Sequence, residues 1–281
     1  MPFSTGSRRK PLSFRPELFG VYSNKGPMRK RQEDNYVLVH APSASGHAFL
    51  GVFDGMGGME NGHIASQAAA HAFSSVAPLI FKARSERERF YTWHFGMDEA
   101  GRAVEDNAGS NSGTTVTALH LHKGIASGSH LGDSRAYKYD PSEKNLRHAL
   151  EQLTEDHAKE WVEKVGNAFH DHRDLTKALT GSVFPAEQKI GPVKIPAGGA
   201  LMLCTDGVWE KTPAKEMAEI LAAKNSTAQE MAMKLVERAL LNGSHDNCTA
   251  LVYLNRRVGR MKRSLLREGK RSDAVRRALT N

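Results

Sequence analysis

The stretch FLGVFDGMGG, residues 49–58, is an apolar run that halts at Asp54 and then breaks into glycines. Taken alone, Asp-Gly is a turn signal and the stretch reads as one arm of a hairpin. The pattern recurs, however. ALMLCTDG (200–207) is a second apolar run ending at Asp206-Gly207, and DNCTALVYL (246–254) is its mirror, with Asp246 first and the apolar strand behind it. Continuous apolar runs of this length suit strands buried on both faces. Three such strands, each with an aspartate at one end, can deliver their carboxylates to one mouth of a sheet sandwich. Three unrelated turns would leave the same trace.

Converging carboxylates repel. Two unit charges about 4 Å apart cost roughly 4 kcal/mol at an effective dielectric near 20. Either a proton or a cation must neutralise such a cluster. Oxygen-only ligands suit hard ions such as magnesium or manganese. A glycine after Asp54 would let backbone oxygen and solvent approach the ion.

Outward from these strands, FGVYS (19–23), YVLVH (36–40) and HAFLGVF (47–53) read as strands. Ala65, Ala69, Phe73 and Val76 recur at helical steps, predicting a helix from Gly62 to about Phe81, with a second over 85–107. A run of strands follows from 113 to 140, then helical signals at 157–165 and 174–179, then strands at 189–195 and 200–206. Thr212 before Pro213 reads as an N-cap followed by proline at the first helical position. Ser226 and Thr227 are capping-box candidates for a helix ending at Asn242-Gly243. This order is not the strict alternation of a parallel α/β fold. It predicts an α+β protein: antiparallel sheets packed together with helices outside.

With 281 residues, 40% hydrophobic and 25% charged, the chain suits one large domain or two small ones. No apolar run approaches the roughly 20 residues of a membrane helix. MPFSTGSRRK (1–10) lacks the hydrophobic stretch of a secretory signal, so a cytoplasmic location is expected. Cys204 and Cys248, in apolar surroundings, read as buried free thiols. A disulfide would need their strands to be neighbours. The net charge of +8 is unevenly spread: residues 1–31 carry +7, residues 255–281 carry +8, and the body between them −7. Basic ends suit an anionic partner, a membrane surface or the acidic body itself, and solvated termini look the same. Val258, Met261 and Leu265 fall on one helical face that Gly259 and Gly269 weaken.

Eight short motifs then stand in one order: RKRQED (29–34), FDGMGG (53–58), SGTT (112–115), GDSRAY (132–137), LTEDH (153–157), LTKAL (175–179), CTDGVWE (204–210) and DN (246–247). In these the chain resembles the metal-dependent serine/threonine protein phosphatases of the type 2C family, particularly bacterial members. The resemblance implies a four-layer αββα sandwich with a two-metal site at one end, built by a catalytic domain over 19–254 between a basic extension (1–18) and a basic tail (255–281). It implies two Mn2+ or Mg2+ ions bridged by Asp54, with the Gly55 carbonyl on one and Asp206 and Asp246 on the other. Glu33 would reach the cluster through water, and Asp34 would support it. Asp133 with Asp206 would form a third, looser site, and Arg29 would grip the substrate phosphate. Water activated between the cations would attack phosphorus in line, with no phosphoenzyme. The expected partners are phosphorylated proteins, opposing a serine/threonine kinase, and the expected state is a monomer.

Other residues carry humbler readings. Lys30 and Arg31 are surface charges, Asn247 a turn former or support, and Ser112 to Thr115 hold the strand beneath the site. His157 is a packing histidine, and His63 a surface one. HDHRD (170–174) lacks the further ligands of a zinc site. Met56 stands where some relatives have a histidine acid, Met59 where bacterial members often have histidine, and Gln32 where asparagine is usual. Many bacterial members share the methionine at 56, so it does not argue against activity; Met59, Gln32 and a short segment between LTEDH and LTKAL motivate the rival reading: a degenerate phosphatase fold that binds phosphorylated partners. Its discriminating feature would be a broken ligand set, and the set here is intact.

Overall fold

The computed structural model describes residues 16–41, 46–56, 61–165, 168–180 and 188–256, and over 162–173 the backbone alone. Residues 1–15 and 257–281 of the basic ends, the helical reading of Val258, Met261 and Leu265, the pair Gly57-Gly58, Met59, and the histidines of HDHRD as side chains lie outside the described residues.

The chain begins with β1 (Phe19–Asn24), β2 (Asp34–His40) and β3 (His47–Asp54), then α1 (Gly62–Lys82) and α2 (Glu86–Ala108). β4 (Val116–His122), β5 (Ile125–Leu131) and β6 (Arg135–Tyr139) follow, with α3 (Leu146–Ala149) and β7 (Leu150–Gln152) behind them. Next come β8 (Ala158–Val165), β9 (Ala168–Leu175), β10 (Gln188–Lys194) and β11 (Ala200–Cys204). α4 (Asp206–Trp209), α5 (Ala214–Leu221), α6 (Ala228–Leu241) and β12 (Cys248–Leu254) complete the domain. One sheet runs β1-β12-β11-β6-β7 and the other β10-β5-β4-β3-β2, with every pairing antiparallel.

The continuous apolar runs are explained by packing on both faces. Along β3, Leu50 and Val52 face the other sheet and meet Leu203 and Leu251, while Phe49 and Phe53 face α1 and α2 and meet Phe73 and Trp93. Along β11, Leu201 and Leu203 point inward, and Met202 and Cys204 pack outward against Leu235 and Val236 of α6. The result is the expected four layers: helices, sheet, sheet, helices. Each fully buried side chain of this size contributes about 1.5–3 kcal/mol.

Strand parity then decides where the acidic residues go. Side chains two apart share a face. Asp54 therefore continues the inward row of Leu50 and Val52, and Asp34 the inward row of Leu38, which packs into the inter-sheet core. Asp34 stands directly opposite Asp54 in the β2–β3 register.

Several local expectations change. Residues 158–165 and 168–175 form a β-hairpin paired from Ala158↔Leu175 to Val165↔Ala168, not helices, and Leu179 bridges to Thr114. Short apolar spacings fit both periods, and the antiparallel partner decides. α5 starts one residue late: Pro213, with ψ of 145°, is itself the N-cap, and Thr212 offers no capping bond. Thr227, not Ser226, caps α6, in a full capping box with Glu230. α1 is 21 residues long and holds an 18-residue window of mean hydropathy 1.3, so by length and composition alone it is apolar enough to cross a membrane. Its Ala65, Ala69, Phe73 and Val76 are core residues against the sheet and α2. β11 and β12 are neighbours, yet Cys204 lies opposite Ala250 and both cysteines are free.

Candidate active site

Asp54-Gly55 is not a hairpin turn. β3 ends there and the next element is α1, so no second strand of a hairpin follows. A Cβ on Gly55 would lie 2.2 Å from the Gly62 carbonyl oxygen and 2.9 Å from that of Glu33, so glycine is needed for a backbone crossing rather than to admit solvent. Gly207 repeats the device, since a Cβ there would lie 2.0 Å from the Asn247 carbonyl oxygen. Both Asp-Gly steps mark strand ends where a second stretch of backbone passes close by.

The crossings gather Arg29, Glu33, Asp54, Gly55, Asp133, Asp206 and Asp246 around one pocket of about 170 Å3, together with Met56, Thr115, Leu175 and Asn247. All the residues singled out in the sequence line it except Asp34, which lies beneath. Asp34 is 3% exposed, and its Oδ2 accepts from Thr205 Oγ1 at 2.8 Å and Thr249 Oγ1 at 2.7 Å. Those hydroxyls come from the ends of β11 and β12, so Asp34 ties the two sheets together at the mouth.

Asp54 is fixed through its backbone. Its N–H donates to Thr115 Oγ1 (2.9 Å), and its carbonyl accepts from Thr114 Oγ1 (2.9 Å) and from the Thr115 N–H (2.8 Å). SGTT therefore holds the strand end, as expected, although Thr115 also lines the pocket. Asn247 is a clamp: its Oδ1 accepts from Glu33 N–H at 2.7 Å, and its Nδ2 donates to the carbonyls of Lys25 (2.7 Å) and Arg31 (3.0 Å). Ser66 of α1 donates to the Glu33 carbonyl at 2.5 Å. Arg29 lies across the pocket lip, its Nη2 2.6 Å from Asp246 Oδ2.

A second network supports Asp133. Arg135 makes a bidentate pair with Asp156 (2.9 and 2.7 Å), and its guanidinium lies 3.3 Å from the Trp209 ring centroid. Trp209 Nε1 donates to the Asp133 carbonyl at 3.1 Å. This joins GDSRAY, LTEDH and CTDGVWE through side chains that the sequence reading left unassigned. His157 is a packing histidine: its ring stacks on His130 and its Nδ1 accepts from Gly132 N–H at 3.1 Å. His63, half-buried on α1, reaches Arg31 at 3.5 Å and does not line the pocket.

The electrostatics follow from the crowding. Burial and then the neighbouring carboxylates push the Asp54 and Asp206 carboxyls well above the ordinary carboxylate range. Asp34 rises to about 6, mainly through burial, against the lowering effect of its two threonine hydroxyls. Asp206 Oδ1 is buried without a hydrogen-bond partner. Among the described residues no three acidic, histidine or cysteine side chains close into a ready cage. Asp246 pairs with Arg29. An all-oxygen donor set, an orphaned buried carboxylate oxygen and mutual repulsion fit hard divalent cations.

Comparison with known proteins places the chain in a family. Residues 30–241 match the family described as protein phosphatase 2C. The serine/threonine phosphatase stp of Listeria monocytogenes is 27% identical over 243 residues, covering 82% of this chain and 92% of that one. The crystal structure of the Mycobacterium tuberculosis serine/threonine phosphatase PstP/Ppp superposes with a TM-score of 0.63 at 23% identity, over 85% of this chain and 98% of that one. The S. agalactiae serine/threonine phosphatase gives 0.68 at 19% identity, over 84% and 98%. At these identities the structural likeness speaks for the fold.

Proposed function

The chain belongs to the protein phosphatase 2C family, and on that footing we propose that it is an enzyme that hydrolyses phosphoserine and phosphothreonine in proteins, dependent on Mn2+ or Mg2+. The observation that carries the proposal is the pocket where Asp54, Asp133, Asp206 and Asp246 meet beneath Arg29. Asp54, Asp206 and Asp246, with the Gly55 carbonyl, would hold two cations, Glu33 and Asp34 would support them, and Asp133 with Asp206 would hold a third. When bound, the cations supply a water deprotonated near neutral pH and offset the charge developing on the phosphoryl oxygens.

The chain's own residues do the rest. Arg29 offers paired N–H donors to phosphate oxygens, which requires it to exchange Asp246 for substrate. The backbone to either side of Arg29 is held meanwhile: Lys25 Nζ donates to the Arg29 carbonyl at 2.5 Å, and Asn247 grips Lys25 and Arg31. Thr114 and Thr115 keep Asp54 from shifting as charge moves across it. An adjoining cleft of about 350 Å3, which shares Arg29 and Asp246 and adds Met28, Lys211 and His245, would receive residues flanking the phosphorylated side chain. The β8–β9 hairpin overlooks the pocket through Leu175. We extend the proposal to a cytoplasmic monomer opposing a serine/threonine kinase, with its basic tail on an anionic partner or membrane surface.

Purified protein should hydrolyse p-nitrophenyl phosphate and a phosphothreonine peptide with added Mn2+, and a chelator should abolish both. Asp206→Ala should be inactive. Parent-like activity in that variant would refute the assignment, and an inert parent that binds the phosphopeptide would restore the binding-protein reading.

A further inference from the structure

A second cavity is larger than the carboxylate pocket. It has a volume of about 550 Å3 and lies between the first turns of α2, β4, β5 and the bulge of β10. Its lining includes His120 and His122 at the far end of β4 from Thr115. Strand rise is about 3.4 Å per residue, which puts the two pockets roughly 20 Å apart.

The lining has an unbalanced chemistry. Trp93 and Phe90 supply aromatic faces, and Ile190 and Pro192 supply apolar wall. Arg89 enters from α2, half-buried, and makes no ion pair among the described residues. Lys189 enters from β10 with its Nζ 3.9 Å from the Phe90 ring centroid, and it too has no carboxylate partner there. Glu86 is the acidic residue of the lining; it is exposed at the rim and pairs with neither. The histidines do not compensate. His120 is held neutral, down to about 3, by burial, by its neighbour His47 and by Arg89 itself. A half-buried guanidinium with no anion is costly unless something supplies one.

We propose that this cavity is a binding site for a small anionic molecule carrying a flat ring, such as an aryl carboxylate, sulfonate or phosphate. Arg89 and Lys189 would take the anionic group, and Phe90 and Trp93 would take the ring. The volume lies within the range of about 300–1,000 Å3 usual for small-ligand sites, as does the mixture of aromatic wall and few polar groups. Cation and ring also cooperate: Lys189 already lies over Phe90, and a ligand ring beside them adds stacking to charge.

The probe is anilinonaphthalene sulfonate, an aryl sulfonate that a phosphatase cannot hydrolyse. The full chain at low salt should bind it with fluorescence enhancement at one site, with a dissociation constant below about 100 µM. Arg89→Glu with Lys189→Glu should weaken binding at least tenfold, and Phe90→Ala should weaken it severalfold. The uncharged analogue, N-phenylnaphthylamine, should bind at least tenfold more weakly than the sulfonate. Asp206→Ala should leave probe binding unchanged, which separates this site from the carboxylate pocket. Hydrolysis of p-nitrophenyl phosphate by the charge-reversed protein should stay at the parent level and certifies its fold. Absence of saturable binding up to 1 mM probe, equal binding of the uncharged analogue, or undiminished binding by the folded charge-reversed variant would each overturn the proposal.

Discussion

Asp34→Asn should make the cation-free protein more stable, and more so at high pH. Asp34 titrates in the folded chain at about 6 against an ordinary 3.8. A carboxyl whose folded value is raised binds its proton more tightly in the native state. Its ionisation is therefore a penalty on folding, absent at low pH and growing as pH rises through the folded value. At 1.36 kcal/mol per pKa unit the full penalty is about 3 kcal/mol above pH 7, falling to roughly half by pH 5. Asparagine keeps an oxygen for the Thr205 and Thr249 hydroxyls and removes the charge that faces Asp54 and Asp246. A gain of 1–3 kcal/mol at pH 8 corresponds to a rise in Tm of roughly 2–5 °C for a chain of this size. The assay is thermal unfolding of chelator-treated parent and variant at pH 8 and pH 5, with Mn2+ titrated into each afterwards. The variant should keep only about half of its advantage at pH 5, and it should bind Mn2+ more weakly, because the cluster has lost a charge. A variant less stable than the parent at pH 8 would show that Asp34 is held as a favourable acceptor and not as a strained anion, and would refute the reasoning.

Asn247→Ala removes bonds to Glu33, Lys25 and Arg31; it should raise KM for p-nitrophenyl phosphate about tenfold, more than it lowers kcat, since it frees the backbone around Arg29. Arg135→Lys gives up the bidentate pair with Asp156 and the Trp209 stack; thermal or urea unfolding should report a loss of about 2–3 kcal/mol. Burial pushes both thiols up, Cys248 to about 11 and Cys204 higher still. A thiol-specific disulfide reagent at pH 8 should therefore leave the folded protein unlabelled and react with both cysteines only in denaturant.

The parts of the site legible in the sequence are those whose signal is local. Asp54, Asp206 and Asp246 could be read because each ends a strand buried on both faces, and such strands leave continuous apolar runs. The reason given for the glycines was not the operative one, because a crossing between Gly55 and Gly62, or Gly207 and Asn247, is a tertiary event. The β8–β9 hairpin was missed for the same reason: the pairing of Trp161 with His172 selects the strand, and neither residue announces the other. Thr205, Thr249 and Asn247 act on partners 171 to 222 positions away. In one sequence they are indistinguishable from ordinary strand threonines and a turn asparagine.

The supporting donors share a property that bears on function. Asp34 is braced by two hydroxyls, Asp54 by hydroxyls and backbone N–H, and Glu33 by an asparagine and a serine that touch its backbone alone. None of these carries charge. Lysine or arginine at Thr249 would brace Asp34 as well and would cancel the repulsion, but it would also consume the negative potential that draws divalent ions. Among the residues lining the pocket, Arg29 is the cation, and it stands on a loop between strands, 42% exposed as a side chain. An exposed ion pair of this kind is worth about 0–1 kcal/mol, so its exchange for a phosphate dianion and metal ions costs little. The fold thus holds the Asp34 carboxylate and the backbones of Asp54 and Glu33 with neutral donors and leaves the charge of the cluster for ligands that arrive from solvent.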